Sequence, residues 1–260
     1  MRLNDKVAVV TGAGQGIGRE ICFMFAKEGA KLCACDSNKK TLEDMAAELK
    51  DRKGEALCME TDIGREDDVK AMFKETIRVY GQLDILVNNV GVLGPVSPIN
   101  RISNKEWKNV VDTNFNGTYY CIKEALNIMI PKGSGNIINI GSVAAVINPP
   151  NRSVYSATKN AVVSITRTVA AEAGQYNVRC NCISPGPIEG ERLTSVMKKR
   201  AEEAGKTFEE IRQLWLDEIP LKRLITAKDI AKAAVFFAND DESSAITGQH
   251  LCVSGGQEIT

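Results

Sequence analysis

The chain has 260 residues with 33 basic and 33 acidic side chains, a formal net charge of zero, and no basic stripe with interleaved aromatics of the kind that binds nucleic acid. No apolar run approaches the roughly 18 residues of a membrane-spanning helix, so no membrane partner is expected. Met1-Arg2-Leu3-Asn4-Asp5-Lys6 leads straight into an apolar strand with no signal-peptide pattern, and a cytoplasmic location is expected.

Residues Lys6–Thr11 form a short, β-branched run that reads as a buried strand. Gly12-Ala13-Gly14-Gln15-Gly16-Ile17-Gly18 follows at once, and a helical pattern then places Ile21, Phe25 and Ala26 on one face before Gly29. Strand, glycine-rich turn and helix in that order are the context that makes a glycine pattern a dinucleotide site. Gly12 permits the tight turn, Gly16 lets the backbone approach a pyrophosphate, and Gly18 lets the helix pack closely on the strand. The phosphates would then rest at the positive end of the helix dipole. Gln15 and Ile17 belong to the same cofactor-binding turn.

A second strand, Leu32–Cys35, ends at Asp36. A carboxylate about 20 residues beyond the first glycines is placed to accept hydrogen bonds from the adenine ribose. It would also repel a 2′-phosphate, and neither Gln15 nor Ser37 supplies a compensating positive charge. The expected cofactor is therefore NAD, with NADP less favoured.

Strand-like runs continue at Leu57–Met59, Ile85–Val87, Ile137–Ile140, Val178–Ile183 and His250–Val253, each separated from the next by helical stretches. No Pro/Gly/Ser-rich linker divides the chain. This alternation predicts an α/β architecture, a doubly wound Rossmann fold with a seven-stranded parallel sheet, as a single domain over residues 1–260. Its site should lie at the carboxyl ends of the strands, where Asp36, Asp62, Asn88, Ser142 and Pro185 fall.

Tyr155 and Lys159 are spaced to share one face of a helix, downstream of Ser142 in the Gly141-Ser142 pair that follows a strand. A phenol ordinarily ionises near pH 10. It becomes a useful acid–base group near neutrality only with a fixed positive charge beside it, and a lysine one turn away can supply that charge.

Eight cysteines occur, with one histidine, His250. Cys33/Cys35 and Cys180/Cys182 are Cys-x-Cys pairs within predicted strands, where they behave as small apolar residues. No Cys-x-x-Cys is present, and no metal site or disulfide is expected. His250 is expected to be a packing or interface residue.

The glycine spacing Thr11-Gly12-x-x-x-Gly16-x-Gly18 is followed in order by Asp62, Asn88-Asn89-Val90-Gly91, Asn114 in a long fourth helix, Ser142, Tyr155, Lys159 and Pro185-Gly186. With this set the chain resembles the single-domain, NAD-preferring branch of the short-chain dehydrogenase/reductase family over nearly its whole length. The resemblance implies that Tyr155 exchanges a proton with the substrate oxygen and that Ser142 orients that oxygen. Lys159 would assist Tyr155 and bind the nicotinamide ribose, and Asn114 would anchor a water leading from Lys159 to solvent. Asp62 with Ile63 would meet the adenine, Asn89 and Gly91 would line the dinucleotide, and Pro185, Gly186 and the backbone of Ile188 would hold the carboxamide. Two positions depart from the family pattern: Val90 replaces a usual alanine, and Gly190 replaces a common threonine.

The resemblance also implies a homotetramer. Residues 189–216 form an insertion that resembles the family's substrate lid, one or two helices with Leu193, Val196 and Met197 on an apolar face. Arg192, early in that segment, could clamp an anionic substrate group. Asn148, Asn151 and Arg152 add a polar tendency near Ser142 and Tyr155. The expected function is an NAD-dependent oxidoreductase interconverting a secondary alcohol and a ketone or aldehyde, on a small polar, polyol, sugar-like or anionic substrate. The alternatives are a 3-oxoacyl-[acyl-carrier-protein] reductase and a non-catalytic NAD-binding redox sensor.

Overall fold

β1 (Val7–Thr11) is buried along its whole length, as a strand covered by helices on both faces must be. In the computed structural model, which describes residues 1–259 but not the side chain of Arg192, it is an interior strand of a parallel sheet. The other strands are β2 (Lys31–Asp36), β3 (Ala56–Glu60), β4 (Ile85–Asn88), β5 (Gly135–Ile140), β6 (Val178–Pro185) and β7 (His250–Val253). The spatial order is β3-β2-β1-β4-β5-β6-β7, with every neighbouring pair parallel. The chain runs outward from β1 to β3, then returns to pair β4 on the other side of β1. This reversal opens a crevice at the carboxyl ends of β1 and β4, the usual ligand position in such sheets.

The α-helices among the described residues are α1 (Gly16–Lys27), α2 (Lys39–Asp51), α3 (Glu66–Tyr80), α4 (Asn104–Val111), α5 (Gly117–Lys132), α6 (Ala144–Ile147), α7 (Ser153–Ala173), α8 (Glu191–Ala204), α9 (Phe208–Asp217), α10 (Ala227–Ala238) and α11 (Asp240–Ser243). Strand alternation sorts them into two layers. Ala8 and Val10 face a core shared with Ile21, Phe25, Leu42, Met45 and Val235, from α1, α2 and α10. Val9, Cys33 and Cys35 face the opposite core, with Phe73, Cys121, Met129 and Val169 from α3, α5 and α7. Ile21 and Phe25 are fully buried, each contributing roughly 1.5–3 kcal/mol of transfer free energy.

The seven strands expected from the sequence all occur, in the expected order and within a residue or two of their expected ends. The expected long fourth helix is interrupted. Between α4 and α5 the backbone widens into a π turn at Asp112–Asn116, and this turn carries Asn114. α4 itself starts from a capping box in which Ser103 and Glu106 satisfy each other's backbone N–H groups.

Between β6 and α10 the insertion resolves into α8 and α9, separated at Gly205, whose φ of 62° suits a residue without Cβ. Met197, Ala201 and Ile211 form a small core of their own, flanked by Leu193, Phe208, Trp215 and Leu224. Arg200 covers the Trp215 ring, its guanidinium carbon 5.1 Å from the ring centroid.

Candidate active site

The glycine turn after β1 divides its labour. Gly12 and Gly16 have φ of 65° and 56°, values that a β-carbon disfavours. At Gly16 an added Cβ would meet nothing within 4 Å, so the backbone there faces open space. At Gly18 the same atom would collide with the Gly12 carbonyl oxygen and stand 2.6 Å from Asn89 Nδ2. Gly18 is therefore the packing glycine and Gly16 the exposed one, with Gln15 preceding the first turn of α1 in extended conformation and Ile17 half-buried behind it.

Asn89 ties the two sides of the crevice together. Its side-chain amide donates to the carbonyls of Thr11 (2.9 Å) and Gly12 (3.1 Å), and its backbone N–H donates to Thr11 Oγ1 at 2.9 Å. Val90 packs against the same turn, its Cγ2 lying 3.2 Å from where a Gly12 Cβ would be. Asp36 is fixed through both oxygens, accepting from Gly14 N–H at 3.0 Å and Asn38 N–H at 2.9 Å. Asp62 is exposed and accepts from Gly64 N–H at 2.9 Å. The Ile63 side chain is buried beneath α5.

Ser142, Tyr155, Lys159 and Asn114 come from three different segments. Ser142 follows the end of β5, half-buried, and accepts from Ala144 N–H at 3.1 Å. α7 presents Tyr155 and Lys159. Lys159 is 3% exposed, its ammonium donates to the Ile140 carbonyl at 2.8 Å, and its Nζ lies 5.9 Å from the Tyr155 ring centroid. An added Cβ at Gly91 would stand 3.0 Å from that Nζ, so a larger residue at position 91 would crowd the lysine. A buried ammonium met by a carbonyl is expensive unless its charge is used. Its remaining N–H donors can serve a neighbouring hydroxyl.

Asn114 is fully buried, and its amide is committed. Oδ1 accepts from Val92 N–H at 2.8 Å, and Nδ2 donates to the Val92 carbonyl at 2.9 Å and to Thr158 Oγ1 at 3.2 Å. Its backbone carbonyl accepts from Thr118 Oγ1 at 2.9 Å. Thr158 was not among the residues the sequence singled out. Thr158 sits directly before the lysine of the Tyr-x-x-x-Lys motif, and that adjacency was the only available signal.

The Pro185-Gly186 turn closes the far side. Gly186 stands against Ser254, where an added Cβ would lie 2.7 Å from Ser254 Cα. Val143 N–H donates to the Pro185 carbonyl at 3.0 Å, joining this turn to the Ser142 segment. Ile188 bridges to Ile225 through bonds from Ile225 N–H to Pro187 and from Glu189 N–H to Ile225. Those bonds flank Ile188, whose own N–H and C=O point to the other side.

The Asn148 amide is engaged at both ends. Its Nδ2 donates to the Val146 carbonyl at 3.1 Å, and its Oδ1 accepts from Asn160 Nδ2 on α7 at 3.2 Å. Val146 and Ile147 are 42% and 40% exposed. Asn151 accepts from Ser97 N–H at 3.0 Å, which brings the loop after β4 against the loop after β5. Arg192 belongs to α8, and its side chain lies outside the described residues.

His250 stands apart from this set, with Nε2 2.6 Å from Ser184 Oγ. Burial lowers its pKa, and the positive charge of Arg167 adds to the effect. Burial pushes the Cys182 thiol up to about 11, against the opposing pull of the Lys159 ammonium and the Ser184 hydroxyl. It is therefore a neutral thiol near pH 7. Among the described residues no group of three or more His, Cys, Asp or Glu is placed to hold a metal, and no helix is long and apolar enough to cross a membrane.

A family model described as enoyl-(acyl carrier protein) reductase matches residues 12–258. (+)-Borneol dehydrogenase 2 of Salvia officinalis is 36% identical over 98% of this chain and 90% of its own. The 3-oxoacyl-[acyl-carrier-protein] reductase FabG of Staphylococcus aureus is 34% identical over 96% of this chain and 97% of its own. Among solved structures, NAD⁺-bound xylitol dehydrogenase superposes with a TM-score of 0.93 at 29% identity, covering 98% of this chain and 100% of that one.

Proposed function

The chain belongs to the short-chain dehydrogenase/reductase family, and from that membership we propose that it interconverts a secondary alcohol and a ketone or aldehyde with NAD. It is an oxidoreductase acting on CH–OH groups. The observation that carries the proposal is the buried Lys159 ammonium, held on the Ile140 carbonyl beside the Tyr155 ring, with Ser142 at the end of the adjoining strand.

The residues fit a dinucleotide. The backbone at Gly16 is open, the first turn of α1 offers unpaired N–H groups, and the Asp36 carboxylate is held at the edge of the same turn. A bound NAD would supply the hydride acceptor for oxidation of the alcohol carbon, and NADH the hydride donor for the reverse reaction. The Ser142 hydroxyl donates to the substrate oxygen and orients it. The Tyr155 hydroxyl exchanges the proton at that oxygen. Lys159 holds positive charge beside the phenol and would donate to the nicotinamide ribose, while Asn89 and Gly91 would line the dinucleotide. Asp62 and the Ile63 backbone would hold the adenine, and the Pro185, Gly186 and Ile188 backbone would hold the carboxamide. α8 and α9 act as the substrate lid, and the working assembly is a homotetramer.

Asp36 accepting from ribose hydroxyls supports NAD over NADP. Val146 and Ile147, exposed in the segment between Ser142 and Tyr155, support adding alcohols with an apolar body to the small polar alcohols tested. A second reading, reduction of a 3-oxoacyl thioester, is favoured by the 34% identity to FabG. Initial rates with purified protein separate the readings. The panel is polyols, hydroxy acids, sulfonated alcohols, cyclohexanol and an acetoacetyl thioester, each with NAD(H) and NADP(H). Turnover of an alcohol with NAD supports the proposal. Turnover of the thioester alone with NADPH overturns it in favour of the second reading. Tight NADH binding with no turnover overturns it in favour of a redox sensor.

Gly18 gives an independent check on the cofactor cradle. Gly18→Ala must displace α1 or the Gly12 carbonyl, since no rotamer relieves a Cβ clash. NADH affinity, read by nicotinamide fluorescence, is expected to fall by about tenfold or more, the consequence of moving phosphate-facing N–H groups by a few tenths of an ångström. Unchanged affinity would remove the cradle from this turn.

A further inference from the structure

We propose that Thr158 is a positioning residue for the reaction, holding the tyrosine-bearing helix to the π turn through Asn114; this rests on the alcohol–carbonyl reading of the site. A threonine inside a helix commonly returns its hydroxyl proton to a carbonyl three or four residues back. Thr158 does so, donating to the Tyr155 carbonyl at 2.9 Å. Its oxygen also accepts from Asn114 Nδ2 at 3.2 Å, from a residue remote in sequence.

Those two bonds set the direction of a closed circuit. The single hydroxyl proton is spent on Tyr155, so the oxygen can only accept from Asn114. Asn114 must then present Nδ2 to Thr158, which leaves Oδ1 for the Val92 N–H at 2.8 Å. Turning the amide over would set Oδ1 against the Val92 carbonyl and leave the Val92 N–H facing a donor. Val92 adjoins Gly91, where an added Cβ would be 3.0 Å from Lys159 Nζ and 3.7 Å from Asn114 Oδ1. The circuit therefore runs from Tyr155 through Thr158, Asn114, Val92 and Gly91 to Lys159, the lysine one helical turn beyond where it began.

Thr158 is 4% exposed and Asn114 fully buried, so water does not readily replace a lost member. An unsatisfied buried donor is costly, and the π turn relaxes to relieve it. The loop carrying Gly91 and Val92 then shifts against the lysine. Thr158 touches neither substrate nor cofactor in this scheme. It acts by holding Asn114, and Asn114 holds the wall beside Lys159.

The test compares Thr158→Val, which keeps the shape and removes the hydroxyl, with Thr158→Ser, which restores it. Both are made in the natural chain and in Asn114→Ala. Thr158→Val is expected to lower kcat by about tenfold with KM and NADH affinity within about twofold, and Thr158→Ser to recover the rate to within about threefold. In the Asn114→Ala background the valine change is expected to cost little more, because both act through one bond. Hydrogen–deuterium exchange of the segment 90–95 in the NADH complex is expected to quicken in Thr158→Val and not in Thr158→Ser, with the α1 segment unchanged as the control for folding.

Unchanged exchange in Thr158→Val overturns the proposal. So does a kcat loss of equal size in both backgrounds. Should the natural chain turn over no alcohol or ketone, that failure falls on the alcohol–carbonyl reading, and the exchange measurement alone decides the role of Thr158.

Discussion

Tyr155→Phe is expected to lower kcat by about 10³-fold, within the 10²–10⁴ range that a positioned proton donor supplies. The substitution is a clean one in this site. Phenylalanine keeps the ring that lies 5.9 Å from the Lys159 ammonium, and it leaves the backbone carbonyl that accepts from Thr158. The helix, the lysine and the threonine keep their places, and only the hydroxyl is removed. NADH affinity measured by fluorescence should therefore stay within about twofold, which separates a chemical loss from a folding loss. Retention of more than a tenth of the rate would remove Tyr155 from the proton transfer. Lys159→Met is the complementary control, since it removes the charge and its bond to the Ile140 carbonyl together; NADH affinity should weaken along with the rate.

Asp36 carries the second large effect. Its two oxygens are pinned by the Gly14 and Asn38 N–H groups, so the carboxylate cannot swing aside when a 2′-phosphate arrives. Two unit charges at about 4 Å repel by about 4 kcal/mol at an effective dielectric near 20. Solvent at this half-exposed position reduces that figure. The natural chain is expected to favour NAD over NADP by about 100-fold in kcat/KM, and Asp36→Ala to bring the ratio near unity. About a tenfold loss with NAD should accompany it, because two backbone donors lose their acceptor. Side-by-side initial rates with both cofactors read the ratio directly. A natural chain that uses NADP as well as NAD, or an Asp36→Ala ratio that does not move, would detach cofactor choice from this carboxylate.

Much of the fold was legible because the signals that carry it are local. The β-branched run Val7–Thr11, the glycines that follow it and the helix face of Ile21 and Phe25 can be placed without knowing any distant contact. Strand ends placed Asp36, Asp62, Asn88, Ser142 and Pro185 on one edge of the sheet. Helix periodicity placed Tyr155 and Lys159 on one face. The π turn was not legible: no proline or glycine interrupts Asp112–Asn116, and the turn goes with a buried amide that reaches sideways to Val92 and Thr158. Nor was the direction of Asn148. In the sequence it is a polar residue near Ser142, yet in the fold its left-handed backbone, with φ of 44°, goes with an amide engaged by Asn160 and Val146.

The alternation of strand and helix, the glycine turn, the acidic end of the second strand and the spacing of tyrosine and lysine follow from local sequence. Each of these is written in hydrophobic period, in residues that alone tolerate a given φ, or in the pitch of one helix. Which buried polar groups face one another is fixed by the packing of distant segments. Asn114 can satisfy its amide with any donor or acceptor within reach, and what lies within reach is set by how α4, α7 and the loop after β4 pack together. Local sequence codes for backbone shape and side-chain burial, whereas the partner of a buried hydrogen bond depends on chain segments brought together only by folding.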